Sequence, residues 1–558
     1  MSKGFEDYRE IIDSIEENGK LLSVLKKSCT DLISEIHRMS FLSEREKLTK
    51  KSEYLEELYY FGKILLKIEE NQYKHKKNLR ESSKHNIKDF LKWLGMDSDA
   101  YEPDEISGVA VDSRLVSPGN VFFALQGSKE NGEKYIKNAI ENGATYVFAS
   151  KNYEYHDHKI IKVDDTLEAL KKIAIAYRKS MACKVLAITG SVGKTTCKNF
   201  AYSILSEKFR TEKTFGNYNT VTGISMSILD MPKNTEVMVL ELGVDSVGDM
   251  EDLIEVAEPD YGIITNISES HLERFGSKKA IFDEKIKLAG AFKKGSVLVV
   301  NGESEFLDVY QNDAFKVVKL FEDEKKYQAS KKDGVDSALL KNTSLSSLGT
   351  SFSILQKGKQ DNFAMKLFGK HLAFNAALAI LVCEEMGASW NLAKLGILKT
   401  RSEAMRFDLS EIDGFRIVND AYNSSFKSLE ASIRTARELT KGKLYVLIGD
   451  IKEIGDDAKK KHAEIGAFLS DMGIDCAMFY GEMMAEAKKA YKGKEALHFD
   501  DLNEVAVHVL KNISREDTFL VKASRALELE RVSDLVLMNI MRSRFVDILL
   551  DVSKDFLD

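Results

Sequence analysis

The sequence predicts an α/β protein built on mainly parallel sheets, preceded by a stretch that is helical throughout. Three observations lead there. From about residue 104, short β-rich runs alternate with helical stretches, the pattern of strands buried on both faces by crossover helices. One of those runs leads through a glycine-rich loop into a helix. Before residue 95 there is helical periodicity and almost no glycine or proline. At roughly 150 residues per domain, 558 residues make about three or four domains.

In the first stretch Ile11, Ile12, Ile15, Leu22, Leu25, Leu32, Ile33 and Ile36 recur at helical spacing. Tyr54, Leu55, Leu58, Phe61, Leu65 and Ile68 do so again, with Lys and Glu between them. This spacing predicts a helical hairpin or short coiled coil, used for packing, self-association or a protein partner; substrate binding is the other reading. Strands are expected at 121–125, 145–149, 184–189, 237–240, 262–265, 297–300, 444–448 and 519–521. Ligands should gather at their C-terminal ends.

Composition excludes several classes. A chain 44% hydrophobic and 30% charged is not broadly disordered. No apolar run approaches the ~18 residues of a membrane span, and Met1-Ser2-Lys3-Gly4-Phe5-Glu6-Asp7 is too acidic to begin a signal peptide. A net charge of −7 argues against a nucleic-acid partner. The five cysteines stand far apart with no C-x-x-C pair, which fits a reduced, cytoplasmic compartment.

The strongest chemical signal follows the run 184–189: Gly190-Ser191-Val192-Gly193-Lys194-Thr195-Thr196, then a helix. Glycines let backbone amides wrap phosphate, and the helix N-terminus adds positive potential. Lys194 supplies a point charge, and the Thr195 hydroxyl suits magnesium. The usual spacing would place a glycine where Ile188 stands, so the loop is a shorter variant. Two more candidates lie just beyond strands: Glu241, a carboxylate suited to magnesium, and His271. Thr195, Glu241 and His271 are the expected metal ligands.

Together these segments resemble the Mur ligase family, nearest its member that adds D-alanyl-D-alanine to UDP-MurNAc-tripeptide. Asp112-Ser113-Arg114 through Gly127 is similar to the family's uridine-nucleotide domain, and Gly216-Asn217-Tyr218-Asn219 to its G-N-x-N segment. Asn419 to Ser425 resembles D-D-x-Y-N-A-N-P, Ile448 to Gly455 resembles G-D-M-x-E-L-G, and Leu520 to Arg525 resembles L-V-K-G-S-R. The family's D-G-H reads Asn131-Gly132-Glu133 here, and Phe426 and Ala523 replace its proline and glycine. The resemblance implies three α/β domains at 96–180 (UDP-substrate binding), 181–405 (ATP-binding phosphate loop) and 406–558 (Rossmann-like), behind a helical extension at 1–95. It implies an ADP-forming peptide ligase working through an acyl phosphate, with ATP and Mg2+ as cofactors and UDP-MurNAc-peptide and D-alanyl-D-alanine as substrates. His271 would help hold a second magnesium, and Lys285, fourteen residues on, sits where several relatives carry a carbamylated lysine. Asn375 would lie near adenine, with Arg406 and Asp420 as ATP contacts. Asp112, Ser113 and Arg114 would meet the uridine diphosphate. Asn217, Asn219, Tyr422, Asn423, Lys522, Ser524 and Arg525 would face the substrates. Three alternatives stay open: a related ligase acting on an acceptor outside peptidoglycan, a folylpolyglutamate synthase-like ligase (a group that lacks the segment at 112–127), and a non-catalytic nucleotide-binding scaffold.

Overall fold

The computed structural model describes residues 85–540, apart from 103, 128–129, 156, 269–271, 347, 404, 413, 452–456 and 538. The helices expected before residue 84 therefore lie outside the described residues, as does His271. Residues 85–95, read from sequence as the end of the helical extension, are part of the α/β body. His85–Asn86 pairs antiparallel with Glu105–Ile106. Asn86 then caps the helix Ile87–Trp93 through its side chain, and Ile87, Phe90 and Leu91 are buried. The His85 ring meets the Leu229 carbonyl at 2.6 Å, which ties this segment to the central domain.

Three further sheets follow. Gly108–Ala110, Asn120–Phe123, Tyr146–Ser150 and Ile160–Val163 form a four-stranded sheet, parallel and in chain order. The second sheet has nine strands. Its parallel part runs Thr211–Lys213, Val237–Glu241, Lys184–Thr189, Tyr261–Ile264, Val297–Asn301, Lys316–Phe321, Asp336–Ser346. Gly349–Gln356 and Lys359–Met365 extend it antiparallel. Lys357 and Gly358 both take positive φ, 50° and 80°, the two-residue turn whose twist matches a hairpin. The third sheet, in the order Asp408–Ile412, Phe415–Asp420, Thr518–Lys522, Leu444–Gly449, Cys476–Tyr480, Ala496–Phe499, is parallel except at its first pair.

Helices cover both faces of the central sheet, so its strands read as nearly continuous apolar runs. On one side Lys194–Leu205 and Lys370–Glu385 bury Phe200, Ile204, Leu378 and Val382 against Ile188, Val239 and Val299. On the other, Leu170, Ile228 and Leu253 pack on Val185, Ala187 and Leu240. Lys184–Thr189 lies where the chain turns from building one side of the sheet (Thr211–Lys213, Val237–Glu241) to building the other (Tyr261–Ile264 onward), and Thr518–Lys522 returns between Phe415–Asp420 and Leu444–Gly449 in the third sheet. Crevices open at such switch points.

Candidate active site

Gly190 leaves its strand at φ 143° and Gly193 enters the next helix at φ 87°. A side chain on Gly190 would strike Thr265, and one on Gly193 would meet Asn375, so both positions demand glycine. The turn is held from the neighbouring strand: Asn266 accepts from the Val192 amide through Oδ1 (2.9 Å) and from the Ser191 amide through its carbonyl (3.0 Å). Lys194 Nζ donates to the Gly190 carbonyl (2.8 Å), which keeps its charge over the loop. Burial lowers its pKa and Glu241 partly restores it.

Glu241 ends its strand one residue past Leu240 and is 2% exposed. Its Oε1 accepts from Asn219 (3.1 Å), and the Thr195 hydroxyl is close enough to help lower the carboxyl's pKa. Oε2 faces Lys198 Nζ at 3.2 Å but completes no hydrogen bond. Burial opposes ionisation here, but Lys198 and Lys194 outweigh it and hold the carboxyl below its usual pKa. The site thus presents an ionised carboxylate with an unsatisfied oxygen beside a threonine hydroxyl.

The facing wall comes from the third sheet. Asp420 and Lys522 are register partners at adjacent strand ends. Lys522 Nζ donates to Asp420 Oδ2 (2.7 Å) and to the Asn423 carbonyl (3.1 Å). Asp420 also accepts from the Phe407 amide (3.0 Å) and Ser432 (2.5 Å). Arg406 reaches across to Thr195 Oγ1 (3.1 Å), and its guanidinium stacks 4.1 Å from the Tyr422 ring. Arg525 bonds Glu530 and meets Met405 Sδ at 3.5 Å.

A cleft of ≈ 1090 Å³ unites these groups. Ser191, Gly193, Lys194, Thr195, Thr196, Asn217, Asn219, Glu241 and Asn375 line it from the central domain. Arg406, Asp420, Tyr422, Asn423, Lys522, Ser524 and Arg525 line it from the C-terminal side.

Comparison with known proteins agrees with this arrangement. Three family domains match in order: the Mur ligase family catalytic domain over residues 105–178, the Mur ligase middle domain over 188–383, and the Mur ligase glutamate ligase domain over 405–525. The UDP-N-acetylmuramoyl-tripeptide–D-alanyl-D-alanine ligase of Bacillus subtilis is 34% identical over 445 residues, covering 78% of this chain and 94% of its own. The chain belongs to the Mur ligase family. The Escherichia coli enzyme of the same name is 25% identical over 76% of this chain and 93% of its own. Among solved structures, MurF from Thermotoga maritima in complex with ADP superposes with a TM-score of 0.69 at 26% identity, covering 78% of this chain and 98% of that one. MurF from Acinetobacter baumannii reaches 0.72 at 22%, covering 82% and 99%, and shows the shared three-domain fold. This Mur ligase is accordingly an ATP-dependent, ADP-forming enzyme.

Not every residue expected in the site lines the cleft. Lys285 lies 2% exposed on the helix Lys278–Ile286. Burial and the nearby Lys194 charge hold its pKa well below normal. Asp112 caps a short turn and pairs with exposed Arg114 at 2.6–3.2 Å, while Ser113 is buried and gives its carbonyl to Asn142. Glu133, where the family has histidine, is structural: it accepts from the Ser150 amide (3.0 Å) and Asn131 (3.2 Å), stitching the loop to a strand end.

Several site residues escaped the sequence reading. Lys198 stands one helical turn past Lys194, and that spacing was the available signal. His371 lines the cleft near Asp420 and Lys522, and burial pushes its pKa down to about 4. Asp245 and Asn266 also line the cleft from the loops after two strands.

Proposed function

We propose that this Mur ligase joins D-alanyl-D-alanine to UDP-N-acetylmuramoyl-tripeptide in peptidoglycan precursor synthesis, cleaving ATP to ADP and phosphate. The observation that supports it is the single cleft in which a phosphate loop and an unsatisfied carboxylate from one domain face Arg406, Asp420 and Lys522 of the next. The Bacillus subtilis enzyme of that name, matched over nearly its full length, supports the choice of substrates.

Joining a carboxylate to an amine is uphill in water, so the acceptor carboxylate first attacks the γ-phosphorus and ADP leaves. The amine then attacks the acyl phosphate, and phosphate departs from the tetrahedral intermediate. Phosphoryl transfer of this kind needs positioning and charge neutralisation more than covalent help. Lys194 turns from its loop carbonyls to the β- and γ-phosphates. Arg406, released from Thr195, meets the same charge from the other wall. Asn375 lies beside the loop at the nucleotide end. Asp420 holds Lys522 by an ion pair, which fixes that ammonium over the substrate region with Tyr422, Asn423, Ser524 and Arg525. Asn217 and Asn219 border the acceptor side.

Magnesium fits the donor set: Thr195 and the unsatisfied Glu241 oxygen are hard oxygen ligands beside the phosphate loop. When bound it supplies charge neutralisation for the transferring phosphate. His271 is expected to hold a second ion. Lys285, buried and biased to the neutral amine, is in the form that adds carbon dioxide with loss of a proton; the resulting carbamate would serve as a carboxylate there. Asp112, Ser113 and Arg114 take the uridine diphosphate, with a phosphate replacing Asp112 on the Arg114 fork. No helix among the described residues is long and apolar enough to cross a membrane; the compartment we propose is the cytoplasm. Residues 1–84 serve self-association or a protein partner.

The deciding experiment measures phosphate release with the tripeptide nucleotide and D-alanyl-D-alanine, with the product identified by mass spectrometry. Release dependent on both substrates supports the reading. Release that ignores either, with activity on a different acceptor, overturns the peptidoglycan assignment.

A further inference from the structure

We propose that Cys476, Glu495 and His508 bind a thiophilic divalent cation of the zinc class at the edge of the C-terminal sheet. Cys476 is the first residue of its strand, and Glu495 immediately precedes the edge strand Ala496–Phe499. The Ala477 amide donates to the Glu495 carbonyl (2.9 Å), so the strand register sets Glu495 beside Cys476. His508 comes from the helix Leu502–Asn512, whose end is fixed by the Tyr445 hydroxyl donating to the Asn512 carbonyl (2.8 Å). One ligand atom from each of the three residues lies within 4.8 Å of the others. Cys476 Sγ and His508 Nε2 are 3.8 Å apart. A tetrahedral zinc with its usual bonds to sulfur and nitrogen sets that separation at about 3.6 Å.

The donor types point the same way. A thiolate, an imidazole and a carboxylate together suit zinc, whereas magnesium and calcium take oxygen. Cys476 is buried, His508 half-buried and Glu495 exposed. The three converge from the core outward, which leaves the fourth position to water from the solvent side. None of them lines the ligase cleft. Without an ion, burial and Glu495 keep the thiol protonated; binding releases that proton to solvent. The ion would tie two strands and a helix together and stabilise the folded chain by linkage.

The test uses the full-length protein, stripped with a chelator and titrated with Co2+. One equivalent should produce thiolate-to-cobalt charge-transfer absorption that Zn2+ abolishes. Cys476→Ser and His508→Ala should lose the band, and Cys183→Ser should keep it, with ATP turnover unchanged in all three. Glu495→Gln, at an exposed position, should fold normally and weaken Zn2+ at least the ~10-fold that losing an outer-shell partner costs. No band in the wild-type chain, a band that survives Cys476→Ser, or unaltered zinc affinity in Glu495→Gln would each overturn the proposal.

Discussion

Lys194 is held by its own loop, and in the proposed function its ammonium meets the phosphate oxygens. Lys194→Ala should therefore lower ATP turnover by about 10³-fold and leave the urea midpoint nearly unchanged, because the loop's shape rests on Asn266 and Thr265. Near-normal ligation would contradict the phosphate assignment. His371 makes a pH prediction. Its folded pKa of about 4 lies below the ordinary 6.5, so the unfolded chain binds the proton more readily. Its contribution is present above pH 6.5 and is lost as pH falls towards 4. That loss approaches ~3 kcal/mol, less where water enters the cleft. His371→Gln should flatten unfolding free energy between pH 4 and 6.5; an unchanged slope would place the effect elsewhere. At this scale the sequence was informative where a motif carried the chemistry, as at Gly190 to Thr196. For Lys198 it offered only the spacing from Lys194, because a lysine within a helix looks like any solvated lysine until Glu241 is folded against it.

The helix Lys278–Ile286 illustrates what an element adds. Glu284, 1% exposed, accepts from the Gly248 amide (3.0 Å) and the Met250 amide (2.8 Å), and from Lys287 Nζ (2.7 Å). It locks this helix to the start of Asp249–Ala257 and so fixes neighbouring Lys285. Glu284→Ala leaves one buried and one half-buried amide without an acceptor and should cost about 1–3 kcal/mol in urea unfolding. Glu284→Gln keeps an acceptor and should recover most of it; equal losses would mean that the charge, not the acceptor, matters. The expected parallel strands were legible because burial on both faces leaves continuous apolar runs, as at Val185–Ile188, whereas others, such as Ile160–Val163, Lys316–Phe321 and Cys476–Tyr480, were not anticipated. Nor were the antiparallel strands Gly349–Gln356 and Lys359–Met365. Lys359–Met365 is largely solvent-facing, and in Gly349–Gln356 serine and glutamine interrupt the apolar run even where they are buried, so the turn at Lys357-Gly358 was the sharpest sign.

Over the whole molecule, the order of the three sheets was readable from the order of the motifs, since each motif sits at a strand end. The beginning of the folded body was not. Ile87, Phe90 and Leu91 continue the helical spacing that precedes them, and only the pairing of His85–Asn86 with Glu105–Ile106 assigns them to the α/β body. This sharpens the test of the extension. A chain starting at residue 96 loses three side chains of 0% exposure, each worth about 1.5–3 kcal/mol when fully buried. It should unfold at markedly lower urea than a chain starting at residue 85, which keeps them along with the His85 contact to Leu229. The chain starting at 85 should retain ATP turnover with both substrates. Light scattering then separates the roles: if residues 1–84 mediate self-association, the full chain gives a multiple of the chain mass and the version starting at 85 gives a single one. Equal particle mass per chain in both would end the self-association reading and leave a protein partner for those residues, whereas lost turnover at normal stability would make them part of the ligase's working machinery.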